Sequence, residues 1–278
     1  MSTSFENEVT LANGATMPRI GLGTWPMDDE EATKNVAEAI HVGYRLFDTA
    51  EQYGNEVGVG AGVTSSGIDR EEVFITTKFN LRWHGVSEVE QAWTNSADRL
   101  GVEYIDLLLI HWPNPAEDRY VDAWKGLVNL LRHGRVRAIG TSNFKPAHMD
   151  RIIDATGVVP DVNQIQLNPV LGRADVRAYD QQHGIVTESW APIGQGSDLL
   201  TRPAIAAVAA RHGKTAAQVV LRWHLELGLA AVPKTSNTKR LRENIDVFDF
   251  ALDPEEVEAI SALDQGSEVP VDSDRFGH

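Results

Sequence analysis

The 278-residue chain contains no cysteine. Disulfides, thiol nucleophiles, thiolate metal sites and iron–sulfur clusters are therefore excluded. Basic residues are scarce: 25 Lys and Arg stand against 40 Asp and Glu, a formal charge of -15. Nucleic-acid binding and attachment to anionic membranes both draw on surplus positive charge, so neither is expected, although a local basic pocket is compatible with the total. No apolar run approaches the ~20 residues of a bilayer span. The longest, Ile105–Ile110, has strand length and is broken by Asp106. The opening MSTSFENEVT shows no basic stretch followed by an apolar core, which points to the cytoplasm rather than to secretion. Linkers and low-complexity stretches are also missing, so 1–278 reads as a single domain.

What is present is alternation. Strand-like runs occur at Arg19–Gly23, Tyr44–Asp48, Val73–Lys78 and Ile105–Ile110, then at Val136–Gly140, Val162–Ile165, Ile185–Glu188 and Leu229–Pro233. Helical patterns lie between them. Asp28 and Asp29 can cap the first, in which Ala32, Val36 and Ala39/Ile40 share a face. Ser87 and Glu90 have the spacing of a capping box ahead of the stripe Val89, Trp93, Ala97 and Leu100. Further helices are expected at Asp122–Leu131, Pro146–Ala155, Ala174–His183, Ala216–Leu227 (capped by Thr215), Asn237–Ile245 and Asp253–Leu263.

Eight nearly continuous hydrophobic strands alternating with helices describe a parallel sheet covered on its outside. In about 250 core residues a (β/α)8 TIM barrel satisfies that description. The rival, an open doubly wound sheet, calls for a glycine-rich phosphate turn, and GLGTWP lacks the third glycine and the helix start. Ahead of the first strand, VTLANGATMP reads as a short β-hairpin turning at Asn13-Gly14, placed to plug the bottom of a barrel.

Barrel chemistry belongs to the carboxyl ends of strands and the loops beyond. Strand two ends at Asp48, with Tyr53 in the loop that follows; strand three ends at Lys78; strand four runs into His111. A buried lysine needs a partner, and Asp48 is the natural one. An ammonium beside a phenol favours the phenolate, so Tyr53 is expected to exchange a proton below its free pKa near 10. His111 can orient a carbonyl oxygen. These four fit carbonyl reduction or enolisation, and each also has an ordinary structural reading. No HExxH or other close ligand cluster supports a metal.

A second set comes late. After strand eight, PKTSNTKRLREN brings Lys234, Lys239, Arg240 and Arg242 together in an acidic chain. It is either a solvated helix start or an anion site built from a helix N-terminus, the Thr235 hydroxyl and flanking cations. Ser142 and Asn143, Gln164 and Trp190 follow strands five, six and seven. An amide pair can read a carboxamide and an indole can stack on a flat ring.

The ordered set GLGTW, YRLFDTAEQYGNE, ITTK, DLLLIHWP, GRVRAIGTSNF, VNQIQLNP and VPKTSNTKRLREN resembles the aldo-keto reductase family over nearly the whole chain. Within it, HWPNP, HGIVTESW and QVVLRWHLELG are most similar to the short bacterial members typified by 2,5-diketo-D-gluconate reductases. The resemblance implies a monomeric (β/α)8 barrel that uses NADPH, without metal or flavin, to reduce a small-molecule carbonyl substrate. It implies Tyr53 as the acid, Lys78 and Asp48 as its tuning pair, and His111 as the carbonyl-orienting group. It further implies that Ser142, Asn143 and Gln164 bind the nicotinamide amide and that Trp190 stacks on the ring. Lys234, Thr235 and Arg240 would hold the 2'-phosphate, with Glu243 and Asn244 near adenine.

Two departures stand out: Ala191 where serine or glycine is common, and Thr235 where serine is frequent. The connection after His111 is short, so a large substrate lid is not expected and the pocket should be open. Trp25 and Trp112 are the candidate pocket walls, with Phe276 on the tail as a third. The alternatives are a Schiff-base aldolase acting through Lys78 and a non-catalytic nucleotide-sensing interaction protein.

Overall fold

Residues 7–266 and 271–277 are described by the computed structural model. Strands β1 (Glu8–Thr10) and β2 (Thr16–Pro18) form an antiparallel hairpin. Eight parallel strands follow, paired in sequence order: β3 (Leu22–Gly23), β4 (Leu46–Asp48), β5 (Phe74–Phe79), β6 (Ile105–Ile110), β7 (Val136–Ser142), β8 (Val162–Gln166), β9 (Val186–Trp190) and β10 (Ala230–Ala231). Bridges Ile20–Ala231 and Gly23–Lys234 join the first strand to the last, and the Gly21 amide donates to the Ala231 carbonyl at 3.0 Å. The sheet is thereby closed, which settles the choice between the barrel and the open sheet.

Ten helices accompany these strands among the described residues: α1 (Asp29–His41), α2 (Glu56–Ser66), α3 (Glu88–Leu100), α4 (Tyr120–Arg132), α5 (Pro146–Thr156), α6 (Ala174–His183), α7 (Pro203–His212), α8 (Ala216–Glu226), α9 (Thr238–Ile245) and α10 (Pro254–Ser261). Period-two alternation divides each strand between two cores. Leu46, Phe74, Leu107, Leu109, Val162 and Val186 pack inside the barrel, whereas Ile75, Leu108, Ile110 and Ile139 pack against the helices. Gly140 is obligatory within this interior, because a Cβ there would collide with the Val162 carbonyl and the Leu109 side chain. The hairpin contributes Leu11 and Met17 to the same interior cluster. Its turn is fixed by Asn13, whose amide nitrogen and Nδ2 donate to the Asp161 carboxylate at 3.1 and 3.0 Å. The hairpin is a plug tied into the barrel floor.

Local chemistry explains most boundaries and corrects one. Asp28 caps α1, accepting from the Glu31 amide at 2.8 Å, while Asp29 instead accepts from the Gly58 amide at 2.7 Å and ties α1 to α2. Thr215 and Gln218 cap α8 reciprocally, as do Asp253 and Glu256 for α10. The expected Ser87–Glu90 box does not form. Ser87 already has helical dihedrals and its hydroxyl donates to Glu88 Oε2 at 3.0 Å. An N-cap oxygen reaches the orphan amides only from an extended backbone. Two helices were not expected from the sequence: α7, although Ile205, Val208 and Ala209 share its buried face, and α2, which carries no amphipathic signal. Eight of the eleven residues of α2 are small or polar, and its glycines Gly58, Gly60 and Gly62 are buried against Asp29, Leu100 and Val36.

Candidate active site

The upper end of the barrel carries a buried ionic pair. Lys78 Nζ, fully buried, donates to both Asp48 carboxylate oxygens at 2.8 and 2.7 Å and to the Thr49 carbonyl at 2.9 Å. Its remaining reach is to the Tyr53 hydroxyl at 3.3 Å. Tyr53 is carried there by a one-turn helix, Glu51–Tyr53, that follows β4 directly. Burial pulls the Lys78 ammonium down, but Asp48 and Tyr53 outweigh it and hold the group above its ordinary value. The lysine is thus a fixed cation, and a charged amine has no lone pair for an imine, which removes the main support for the aldolase alternative.

For Tyr53 the direction differs from the sequence expectation. Burial raises the phenol, Lys78 lowers it, and Asp48 and Glu188 raise it again, so the net position lies above 10. The ammonium offsets part of the cost of a phenolate without overcoming burial and two nearby carboxylates. Tyr53 therefore carries its proton at neutral pH.

His111 follows β6 and stands edge-on to Tyr53, with ring centroids 5.9 Å apart at 77°. Its Nδ1 meets Asn80 Oδ1 at 3.2 Å, and Asn80 Nδ2 donates to Gln52 Oε1 at 2.7 Å. This amide relay fixes the ring so that its other nitrogen side is turned from Asn80. Sequence reading missed Asn80 and Gln52, since each looked like an ordinary loop polar residue.

A cleft of about 1020 Å³ opens above this floor. It reaches from Asp48, Tyr53 and His111 past Ser142, Asn143, Gln164 and Trp190 to Lys234, Thr235, Arg240, Glu243 and Asn244. Of the fifteen expected site residues, only Lys78 does not line it, because it lies beneath Asp48 and Tyr53. Trp25 (51% exposed) and the buried Trp112 stand on its walls. Phe276 sits edge-on to Trp112 at 4.9 Å, and the tail is held in place by Lys145, which meets Asp272 at 2.6 Å and Asp274 at 2.5 Å. The connection from β6 to α4 is short, as expected, and adds no lid.

The amide residues are more committed than the sequence suggests. Asn143, at φ 63°, donates from Nδ2 to the His111 carbonyl and Ser142 Oγ at 3.1 and 3.0 Å, while Trp190 Nε1 donates to its Oδ1 at 2.9 Å. Ser142 Oγ donates to the Gln164 carbonyl at 3.0 Å. Gln164 Nε2 donates inward, to Asp48 Oδ2 at 2.9 Å and Glu188 Oε2 at 2.6 Å. With these donors spent, Gln164 Oε1 and the second lone pair of Asn143 Oδ1 supply acceptor capacity, which suits the NH2 of a carboxamide. Glu188, fully buried on β9, was not among the expected site residues, because VTES reads as strand filler.

At the far end Arg240 is exposed in the first turn of α9, whose N-cap Asn237 accepts from the Arg240 amide at 3.2 Å. Lys234 lies 3.6 Å from Glu31. Lys239 pairs with Glu243 at 3.6 Å and stays outside the cleft.

The model of the aldo/keto reductase family matches residues 19–265. This chain belongs to the aldo/keto reductase family. An aldo-keto reductase of Mycobacterium sp. strain KMS is 45% identical over 96% of this chain and 97% of its own. Methylglyoxal reductase DkgA of Escherichia coli O157:H7 is 44% identical over 97% of this chain and 98% of its own. Among solved structures, Gox0644 in its apo form superposes with a TM-score of 0.92 at 44% identity, covering 97% of this chain and 98% of that one. A mutant of Gox0644 solved in complex with NADPH matches equally, with a TM-score of 0.92.

Ala191, the departure noted in the sequence, adopts φ 52° directly after Trp190. Among the described residues no group of three or more metal-ligating side chains is gathered, and no helix is long and apolar enough to cross a membrane.

Proposed function

We propose that this chain is an NADPH-dependent carbonyl reductase in which Tyr53 is the proton donor, Lys78 and Asp48 its supporting pair, and His111 the group that orients the carbonyl oxygen. The observation that carries the reading is the Lys78 ammonium, held by Asp48 and 3.3 Å from a phenol at the floor of a long cleft. NADPH supplies the hydride. The chain's own part is positional and electrostatic. Trp190, pinned by Asn143, offers an indole face to a flat ring. Gln164 and Asn143 present acceptors to a carboxamide. Lys234, Arg240 and Thr235 line the far end of the cleft and would hold the 2'-phosphate, a group suited to paired cations and a hydroxyl. As negative charge develops on the carbonyl oxygen, the Tyr53 proton moves to it and the neighbouring ammonium stabilises the phenolate left behind.

Small α-dicarbonyls and keto sugars are the substrates we assign. The open cleft and the pattern of the short bacterial 2,5-diketo-D-gluconate reductases favour this class, and DkgA, named a methylglyoxal reductase, is a near relative. The working unit we assign, following the family resemblance and the lack of a secretion signal in the opening residues, is a cytoplasmic monomer. The test is loss of NADPH absorbance with methylglyoxal, a simple aldehyde and a 2,5-diketo sugar acid, with NADH in parallel. Turnover of the dicarbonyls with NADPH is expected. No oxidation of either cofactor by any carbonyl would remove the reading.

A further inference from the structure

Beneath the Asp48–Lys78 pair lies a second carboxyl group that the mechanism above does not use. Glu188 is completely buried inside the barrel on β9, and Gln164 Nε2 joins it to Asp48, at 2.6 Å from one carboxylate and 2.9 Å from the other. Its other oxygen, Oε1, is buried without a hydrogen-bond partner. A carboxylate left half-satisfied in an apolar interior is costly, whereas a carboxylic acid there removes a charge from the interior. The neighbouring strands offer no cation to relieve it: β10 presents Ala230 in register with Glu188, and β8 presents Gln164. Across the interior the charged groups acting on it are Asp48 from β4 and Lys78 from β5.

We propose that Glu188 is a positioning residue that sets the charge beneath Lys78, and through it the readiness of the Tyr53 hydroxyl to give up its proton. The inference rests on the reading of Tyr53 as the proton donor. When Glu188 holds a proton, Asp48 and Lys78 cancel and the floor is neutral. When it releases that proton to solvent, the floor carries one surplus negative charge, and a phenolate forming beside it is disfavoured. Burial first, and then Asp48, push Glu188 up to about 7, against the opposing pull of Gln164 and Lys78. Physiological pH therefore falls where the floor changes charge.

Wild-type reduction should fall roughly three- to tenfold as pH rises through neutrality, the size of a half to one unit in a neighbour's acidity. Glu188→Gln should hold the acid-side rate across that range, and Glu188→Asp, which keeps a carboxyl, should restore the fall. A flat wild-type profile, or a Glu188→Gln profile with the same inflection, would overturn the proposal. A second measurement needs no turnover. Infrared spectra of the ligand-free protein should show a carboxylic-acid carbonyl band at about pH 6 that is gone by about pH 8. The band should survive Asp180→Asn, which removes the other carboxyl that burial pushes to about 7, and disappear in Glu188→Gln. No band in the Asp180→Asn protein overturns the inference whether or not Glu188→Gln folds. A band with no reductase activity would leave Glu188 as assigned and defeat the reading of Tyr53 instead.

Discussion

Each end of this barrel buries an aspartate against basic or amide groups, and only one of the two aspartates lines the cleft to which we assign the chemistry. At the lower end Asp106 is fully buried, accepts from the Ile75 amide at 2.9 Å, and is bridged by Arg70 at 2.5 Å and Arg137 at 3.1 Å. Asp161 beside it accepts from the Ile139 amide and from Asn13 of the hairpin. That capacity is spent on backbone amides, two arginines and the Asn13 side chain, and neither residue lines the cleft. At the upper end Asp48 is held by Lys78, but the ammonium passes one of its contacts to the Tyr53 hydroxyl, which faces the cleft. Burial of charge is common to both ends. The difference is whether the cation's last contact is a group that can lose a proton to something bound.

Removing that group should produce the largest effect. Tyr53→Phe is expected to fold and bind NADPH normally while losing roughly 10²–10⁴-fold of kcat, the usual worth of general acid catalysis. Near-native turnover in the purified variant would mean the acid lies elsewhere. The sign of the pH dependence follows from the phenol's position above 10. Below it the hydroxyl keeps its proton, so the phenol itself should not limit reduction at neutral pH. Alcohol oxidation, which needs the phenolate as base, should climb steadily with pH.

The proposed function puts cofactor choice at the rim of the cleft and proton transfer at its floor. Arg240→Ala should weaken NADPH by about 10- to 150-fold, corresponding to about 1.5–3 kcal/mol for a charge-assisted hydrogen bond, and leave NADH almost unchanged. Dissociation constants at fixed ionic strength measure this. An unaltered NADPH/NADH ratio would return Arg240 to the role of a solvated helix residue.

The lower end should answer to stability alone. Asp106→Asn leaves two arginines that are 22% and 45% exposed and can turn to water, so no charge is stranded. A loss of about 1–3 kcal/mol is expected from the weakened acceptor, read as a lower urea midpoint, with kcat/KM unchanged where the protein is folded. A changed kcat/KM at full folding would blur the distinction between the two ends.

The smallest effect is expected at Ala191. Its φ of 52° lies in the left-handed region, which costs an alanine about 1 kcal/mol. Ala191→Gly relieves that strain and adds chain entropy of roughly 0.5–1 kcal/mol. Stability should stay level or rise slightly. In Ala217→Gly, within α8, the same change should cost about 1 kcal/mol. Equal melting shifts in the two variants would mean that residue 191 is unstrained.

Much of this was legible in the chain itself. The alternation of strand and helix, the closure into a barrel, the Asn13-Gly14 plug and the strand-end group Asp48, Lys78 and His111 all follow from period and spacing. These depend on local geometry, since a strand's inward face repeats every second residue and its end lies where the apolar run stops. Tyr53 and the late cationic cluster were read from the residues as well, each beside an ordinary structural alternative, and the family resemblance implied their roles. Chain periodicity did not reveal how the polar groups divide their hydrogen bonds.

Gln164 and Asp48 are 116 residues apart, and only the curvature of the closed sheet brings Gln164 Nε2 onto Asp48 and Glu188 rather than into the cleft. The same closure places Asn143 against the Trp190 indole. It also surrounds Tyr53 with enough protein to reverse the expected direction of its acidity. The sequence by itself determined the barrel, the family and the kinds of side chain at its mouth, because those depend on pattern. Tertiary structure decided which donors are already spent and which carboxyl shares the floor. Those depend on partners supplied by distant strands, and on the energy of charge in a space from which water is excluded.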